Sequence, residues 1–332
     1  MRAAVLIRPG QIEVKDIQDP QVSPNEVLIR VRATGICGTD MAIYEGRLKV
    51  GLPHIPGHEF SGEIAETGDE VTNLKYGDRV VSEINITCGK CWFCTRGLRT
   101  HCLHRAAIGI DLPGSFAEYV KVPATNVHRI PDIISFEDAV FVEPLAACLR
   151  LVELSPIPPD GTVIVLGPGP IGLLCLQLAK LHGANVIVIG TRWSRLNIAK
   201  ILGADAVVNI NEEDPVARVK ELTDGRGGDM VIEATGNPLG FELALKLVRA
   251  CGVIAVKSTH GLPVSFDLTK AVVNEVKIQG SRCGPFNPAI RLLATKRIRV
   301  SELVTHTIPL EHIAEAFMLI KSRQALKVIL YP

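Results

Sequence analysis

The chain lacks an excess of charge of either sign: 36 Lys and Arg stand against 35 Asp and Glu in 332 residues, a formal net charge of +1. That balance removes the electrostatic case for nucleic acid or an anionic membrane surface as partner and leaves a small molecule as the expected ligand. Secretion is not expected either. The apolar run within Met1-Arg2-Ala3-Ala4-Val5-Leu6-Ile7-Arg8-Pro9 is too short for a signal peptide, and Pro9-Gly10 closes it as a strand and turn. No bilayer-length run exists either, because the most apolar region, Val163 to Ile189, is interrupted by Gln177, Lys180, His182 and several glycines. These absences predict a soluble, cytoplasmic protein. In that setting nine cysteines, an odd number with four clustered at metal spacing, read as reduced thiols.

At 332 residues the chain exceeds one ordinary core, so two lobes and a cleft are expected. From Met1 to about Phe60 short β-rich runs, Ala3 to Ile7 and Val27 to Ala33, alternate with turn signals, as in a small barrel-like unit. Later runs at Glu63 to Thr67, Arg79 to Ile84 and Phe116 to Val122 continue it. An apolar helix from about Leu145 to Leu154 then leads through Pro156, Pro158, Pro159 and Asp160-Gly161, a plausible domain hinge.

Beyond the hinge comes the strand Thr162 to Leu166, then Gly167-Pro168-Gly169-Pro170-Ile171-Gly172, an apolar helix to His182 and the strand Val186 to Ile189. Three glycines at GxGxxG spacing mean little alone; between a strand and a helix they predict a dinucleotide site. The glycines let the diphosphate approach the backbone, and the helix N-terminus stabilises its charge. Further runs at Ala206 to Asn209, Met230 to Glu233, Val253 to Val256 and Val276 to Gly280 complete a doubly wound parallel sheet in Rossmann order.

Two constellations predict metal. Cys88, Cys91 and Cys94 at successive CxxC spacing, with Cys102 eight positions on, supply four soft ligands, enough for a closed and therefore structural zinc. Gly57-His58-Glu59, with Cys37 upstream and Glu143 downstream in Val142-Glu143-Pro144-Leu145, offers one thiolate, one imidazole and one or two carboxylates, which suits a zinc kept open for chemistry. His54, His101, His104 and His128 have no partners at ligand spacing and read as solvated or packed side chains; His54, in the loop before Gly57, also lies where it could touch substrate.

Gly57-His58-Glu59, Gly62, Gly68 and Val71 form G-H-E-x2-G-x5-G-x2-V, and on this motif the chain resembles the zinc-containing medium-chain alcohol dehydrogenases along nearly its whole length. Within them Gly-His-Glu and Glu-Pro-Leu, at Glu143-Pro144-Leu145, resemble the sorbitol and threonine dehydrogenase branch. The resemblance implies an α/β protein with a GroES-like β-rich catalytic domain, residues 1–148 and 285–332, and a Rossmann domain, residues 149–284. It further implies that Cys37 and His58 bind zinc, that Glu59 or Glu143 completes the set, and that the other can stand one water away. It implies Asp40 as the orienter of His58, Thr39 as the hydroxyl that relays the substrate proton, and a dimer or tetramer. The next relay residue is often His; here it is Ala42, so the proton leaves by ribose hydroxyls and water or by Tyr44.

An NAD enzyme generally carries Asp or Glu at the end of the second Rossmann strand, where it accepts from the ribose hydroxyls. Gly190-Thr191-Arg192 stands there instead, with Arg195 just beyond, which removes repulsion of a 2′-phosphate and supplies cations for it. NADP(H) is the expected cofactor. The segment also resembles the Arg-containing turns of NADP-dependent secondary alcohol dehydrogenases and ketose reductases.

The expected activity is therefore hydride transfer between NADP(H) and an alcohol/carbonyl pair, of a polyol, sugar or secondary alcohol. An L-threonine 3-dehydrogenase is less favoured, because Asn85 occupies the place where threonine dehydrogenases carry a His. An NADPH-binding protein without zinc chemistry, as some quinone reductases and lens proteins are, is opposed by the presence of Cys37, His58 and Glu143.

Overall fold

The computed structural model describes residues Met1–Pro332, which divide into two compact units. The first comprises Met1–Glu143, Phe286–Ala294 and Val304–Pro332; the second comprises Pro144–Pro285 and Thr295–Leu303. The sequence pattern assigns 295–303 to the first unit. In the structure Gln177 draws that stretch to the second: its amide donates to Arg299 O (2.9 Å), and its carbonyl accepts from Arg299 N (2.8 Å).

The first unit is built on a seven-stranded sheet whose centre is the strand Glu26–Gly35. That strand pairs antiparallel with Glu59–Thr67, with Tyr119–Pro123 and with Lys327–Tyr331. Its inward residues Val27, Ile29, Val31 and Ala33 are buried, the alternation expected of a half-covered strand. Gly62 and Gly68 of the glycine motif are places of close backbone approach: a Cβ on either would lie 2.1 Å from a carbonyl oxygen, of Arg30 and of Ser23. A core of Leu6, Ile43, Tyr44, Phe116, Phe317 and Val328 packs beside the sheet.

The second unit is a six-stranded parallel sheet ordered Ala206–Asn209, Asn185–Gly190, Thr162–Leu166, Gly228–Glu233, Val248–Val256, Lys277–Gly280. This is the expected doubly wound order, and its central strands, with Val163, Ile164, Val165, Val231 and Ile232 fully buried, are apolar on both faces. The helix before the hinge begins earlier than its apolar pattern suggests, at Val142, which puts Glu143 in its first turn, where a carboxylate favours the helix dipole. No helix is long and apolar enough to cross a membrane.

Candidate functional site

The antiparallel register Gly35↔Glu59 assembles the first site. Cys37 follows one strand by two residues and His58 precedes the other by one, so the pairing brings together groups far apart in sequence. The ligand atoms of Cys37, His58 and Glu59 all lie within 4.8 Å of one another. A thiolate, an imidazole and a carboxylate at that separation fit a divalent zinc with room for a further ligand. Glu143, half-buried in the first turn of its helix, is outside this cluster.

Asp40, wholly buried in the helix Gly38–Tyr44, ties the site together. Its Oδ2 accepts from Cys37 N (2.8 Å), its Oδ1 accepts from Gly57 N (3.2 Å), and the same Oδ1 stands 3.2 Å from His58 Nδ1. That contact is electrostatic, for Nδ1 makes no hydrogen bond, and it leaves Nε2 for the ligand position. Gly57 adopts φ +98° in front of Phe116, whose ring lies 2.5 Å from where a Cβ would be, so the turn into His58 tolerates only glycine.

The charges in the cluster shape its acidity. Enclosure pushes the Cys37 thiol up, and the neighbouring Glu59 adds to this while His58 opposes it. Burial pulls the His58 imidazole down, but Asp40 and Cys37 outweigh it and leave it well above its ordinary value. A bound cation reverses this logic by stabilising thiolate and neutral imidazole.

Sequence reasoning missed Lys327. The first residue of the strand Lys327–Tyr331 is buried; its ammonium pairs with Glu59 Oε2, donates to Ile36 O (3.2 Å) and lies 5.7 Å from the Phe141 ring centroid. Burial lowers its pKa and Glu59 more than restores it, so the ammonium stays charged. Gly35 makes room, since a Cβ there would sit 2.7 Å from Lys327 Cε. The available signal was a lysine opening the otherwise apolar run Lys327-Val328-Ile329-Leu330.

Other candidates fall elsewhere. Thr39 is half-buried at the second position of the helix after Cys37. Tyr44 has its hydroxyl proton committed: it donates to Gly10 O (3.0 Å), and the ring stacks on Phe317 at 4.4 Å. His54 is a packed core residue bonded to Gly109 O (3.0 Å), His128 joins Glu83 and Asn287, and His101 and His104 are exposed. Asn85 accepts from Arg105 at 2.9 Å.

The four-cysteine cluster closes as its spacing predicts. Sγ separations are 3.5 Å for Cys91–Cys94, 3.8 Å for Cys91–Cys102 and 3.5 Å for Cys88–Cys102. Four sulfurs about 2.3 Å from one zinc stand about 3.8 Å apart, so the donor set fits that ion. Cys88 N and His104 N donate to Cys102 Sγ at 3.4 and 3.3 Å, as thiolates require.

In the second unit Gly167, at φ +93°, turns the chain from the first parallel strand into the helix Pro170–Leu181, whose N-cap is Gly169 and first residue Pro170. Gly172 allows the turn to close, since a Cβ there would be 2.0 Å from Gly167 O. Thr191 and Arg192 follow the strand Asn185–Gly190, and Arg195 lies in the first turn of the helix Trp193–Ile201. A neighbouring loop steadies this segment: Asn211 Nδ2 donates to Thr191 O (2.9 Å), and Trp193 Nε1 donates to Glu212 Oε1 (2.5 Å).

A glycine turn on a parallel sheet and two metal-ready clusters on a separate β-rich unit define a nicotinamide-linked zinc oxidoreductase, and the comparisons agree. Residues 23–132 match the alcohol dehydrogenase GroES-like domain, and residues 170–295 match the zinc-binding dehydrogenase family. The chain is 38% identical to a sorbitol dehydrogenase of Halalkalibacterium halodurans over 97% of its own length and 96% of the relative's. It is 38% identical to an L-threonine 3-dehydrogenase of Bacillus subtilis, covering 96% and 94%. Among solved structures, a putative zinc-binding dehydrogenase from Sinorhizobium meliloti bound to NADP superposes with a TM-score of 0.94 at 32% identity, covering 100% of this chain and 99% of that one. The chain belongs to the zinc-containing medium-chain alcohol dehydrogenases, and within them to the sorbitol and threonine dehydrogenase branch. It is an oxidoreductase that acts on a small alcohol/carbonyl pair.

Proposed function

We propose that this protein is a zinc-dependent, NADP(H)-preferring dehydrogenase of a polyol, sugar or secondary alcohol. In this reading each chain holds two zinc ions, one catalytic and one at Cys88, Cys91, Cys94 and Cys102. The observation that carries it is the convergence of Cys37, His58 and Glu59. Zinc held there supplies Lewis acidity, which polarises a carbonyl and eases deprotonation of an alcohol near neutral pH. Asp40 keeps the His58 ring aimed, Lys327 pairs with the Glu59 carboxylate, and Glu143 is the alternative carboxylate. Thr39 carries the hydroxyl that hydrogen-bonds the reacting oxygen and passes its proton outward.

For the cofactor, the backbone around Gly167, Gly169, Pro170, Ile171 and Gly172 receives the diphosphate at the helix N-terminus. Thr191, Arg192 and Arg195 receive the 2′-phosphate, with no acid at Gly190 to repel it. The Sinorhizobium meliloti dehydrogenase, solved bound to NADP, supports this choice.

Nine cysteines, none of them in a disulfide, support a reducing, cytoplasmic setting. Assembly as a dimer or tetramer is supported by apolar surface at Leu268, Val272, Val273 and Ile278, beside the edge strand Lys277–Gly280. An L-threonine 3-dehydrogenase activity is the second reading, favoured by the Bacillus subtilis relative and opposed by Asn85, which is engaged with Arg105. Elemental analysis together with a panel of polyols, aldoses, ketoses, secondary alcohols and L-threonine decides among these. Two zinc ions per chain and turnover of a polyol, sugar or secondary alcohol are expected; a preparation with full zinc that binds NADPH yet turns over nothing in either direction is a non-catalytic NADPH-binding protein.

A further inference from the structure

Gly190 lacks the acid that an NAD site uses, yet its backbone does not demand glycine. It is not among the residues with positive φ, so an L side chain meets no conformational obstacle there. The obstacle is space. A Cβ on Gly190 would lie 2.7 Å from Pro168 Cγ, 2.8 Å from Pro168 Cδ and 3.2 Å from Leu196 Cδ2, against about 3.5 to 4.0 Å for carbon atoms in contact.

The proline cannot step aside. Its ring closes on its own backbone nitrogen and fixes φ, so Cδ stays in place and a change of pucker shifts Cγ only slightly. The loop carrying it is pinned on both sides: Gly167 N donates to Ile189 O (2.9 Å), one residue before Gly190, and a Cβ on Gly167 would be 2.7 Å from Ala234 O. Gly172 presses on the same turn from below, with Gly167 O at 2.0 Å from its would-be Cβ. Leu196, the third neighbour, is fully buried.

The geometry points to Pro168 as a determinant of cofactor choice: its ring occupies the volume that a ribose-binding acid at position 190 needs. This rests on the reading that NADP(H) is preferred, and deepens it. The preference is held by two positions, so a single change at Gly190 does not convert the site. The two obstructing atoms, Cγ and Cδ, are the atoms that alanine at 168 lacks.

The test places Gly190→Asp in the wild-type and in the Pro168→Ala background and measures kcat/KM and fluorescence Kd for NADH and NADPH, with thermal denaturation of each variant. In the wild-type background Gly190→Asp is expected to weaken NADPH without improving NADH, or to lower the melting temperature. With Pro168→Ala beside it, NADH should improve at least about tenfold over the single variant, the scale of hydrogen bonds to a charged acceptor. Two outcomes overturn the inference: Gly190→Asp alone gaining NADH efficiency as large as the double variant does, or a folded double variant gaining none. Wild-type cofactor preference is a separate measurement, and an advantage there for NADH removes the NADP reading whatever the variants do.

Discussion

Lys327 and Glu59, 268 residues apart in sequence, form a buried ion pair at the metal-ready cluster, with both side chains nearly inaccessible to solvent. A charge in such a place is stable only while its partner remains. Lys327→Met should therefore destabilise the fold by about 3 to 5 kcal/mol, the usual cost of leaving one buried charge unpaired. Adding Glu59→Gln should recover most of that loss. Urea denaturation of the metal-free protein reads both; a loss below about 1 kcal/mol for the single variant sinks the argument.

Asp40 accepts hydrogen bonds from Cys37 N and Gly57 N and sets the same carboxylate 3.2 Å from His58 Nδ1. Asp40→Asn keeps the shape but gives up acceptor capacity and charge. Zinc affinity at the Cys37 and His58 site should fall about 10- to 100-fold, the range for residues that orient a metal ligand. Chelator competition measures it, with the four-cysteine site as internal reference; unchanged affinity would remove Asp40 from the design.

Cys91 and Cys94 differ in acidity once metal is stripped. Hydrogen bonds from Cys94 and Leu103 backbone draw the Cys91 thiol down from 9.0 to about 6, while burial and the Cys91 sulfur push Cys94 up to about 11. Because the folded value of Cys91 lies below its unfolded one, its contribution is fully present above pH 9 and is lost as pH falls through about 6. Alkylation of stripped protein, read by mass spectrometry across pH, should label Cys91 first with a midpoint near pH 6 and Cys94 last. Equal labelling of the two at pH 7 contradicts this.

Arg192 is the N-cap of the helix that follows the strand end carrying no acid. Arg192→Ala should lower kcat/KM for NADPH by about tenfold to a hundredfold, as loss of a charge-assisted contact of about 1.5 to 3 kcal/mol requires, and leave NADH nearly unaffected. Parallel losses for both cofactors would show that Arg192 supports the helix and not the phosphate.

Much of this architecture is legible in one dimension because its signals are local. The strand, glycine turn and helix from Thr162 to Leu181 follow one another without interruption, and the cysteines from Cys88 to Cys102 fit within one loop. Cys37, His58 and Glu59 could be named together through the resemblance; their proximity comes from the register Gly35↔Glu59, which sequence spacing does not reveal. Lys327 was invisible for the same reason, since the strand that delivers it pairs across most of the chain, at Ile329↔Gly35. The contest between Pro168 and position 190 was hidden because it concerns a side chain that is not there. Tyr44, one of two relay exits the sequence leaves open, is disfavoured because its hydroxyl donates to Gly10 O while its ring stacks on Phe317, contacts that the sequence does not reveal.

The central sheet of the first unit draws strands from before and after the second in chain order: Lys327–Tyr331 and Val304–Pro309 complete what Glu26–Gly35 begins. During synthesis, then, the nucleotide-binding half has left the ribosome whole before the metal-binding half owns all its strands. Nascent chains tethered so that residue 303 has just cleared the exit tunnel should carry a folded parallel sheet and an unfinished partner, inverting the usual amino-to-carboxyl order of domain maturation.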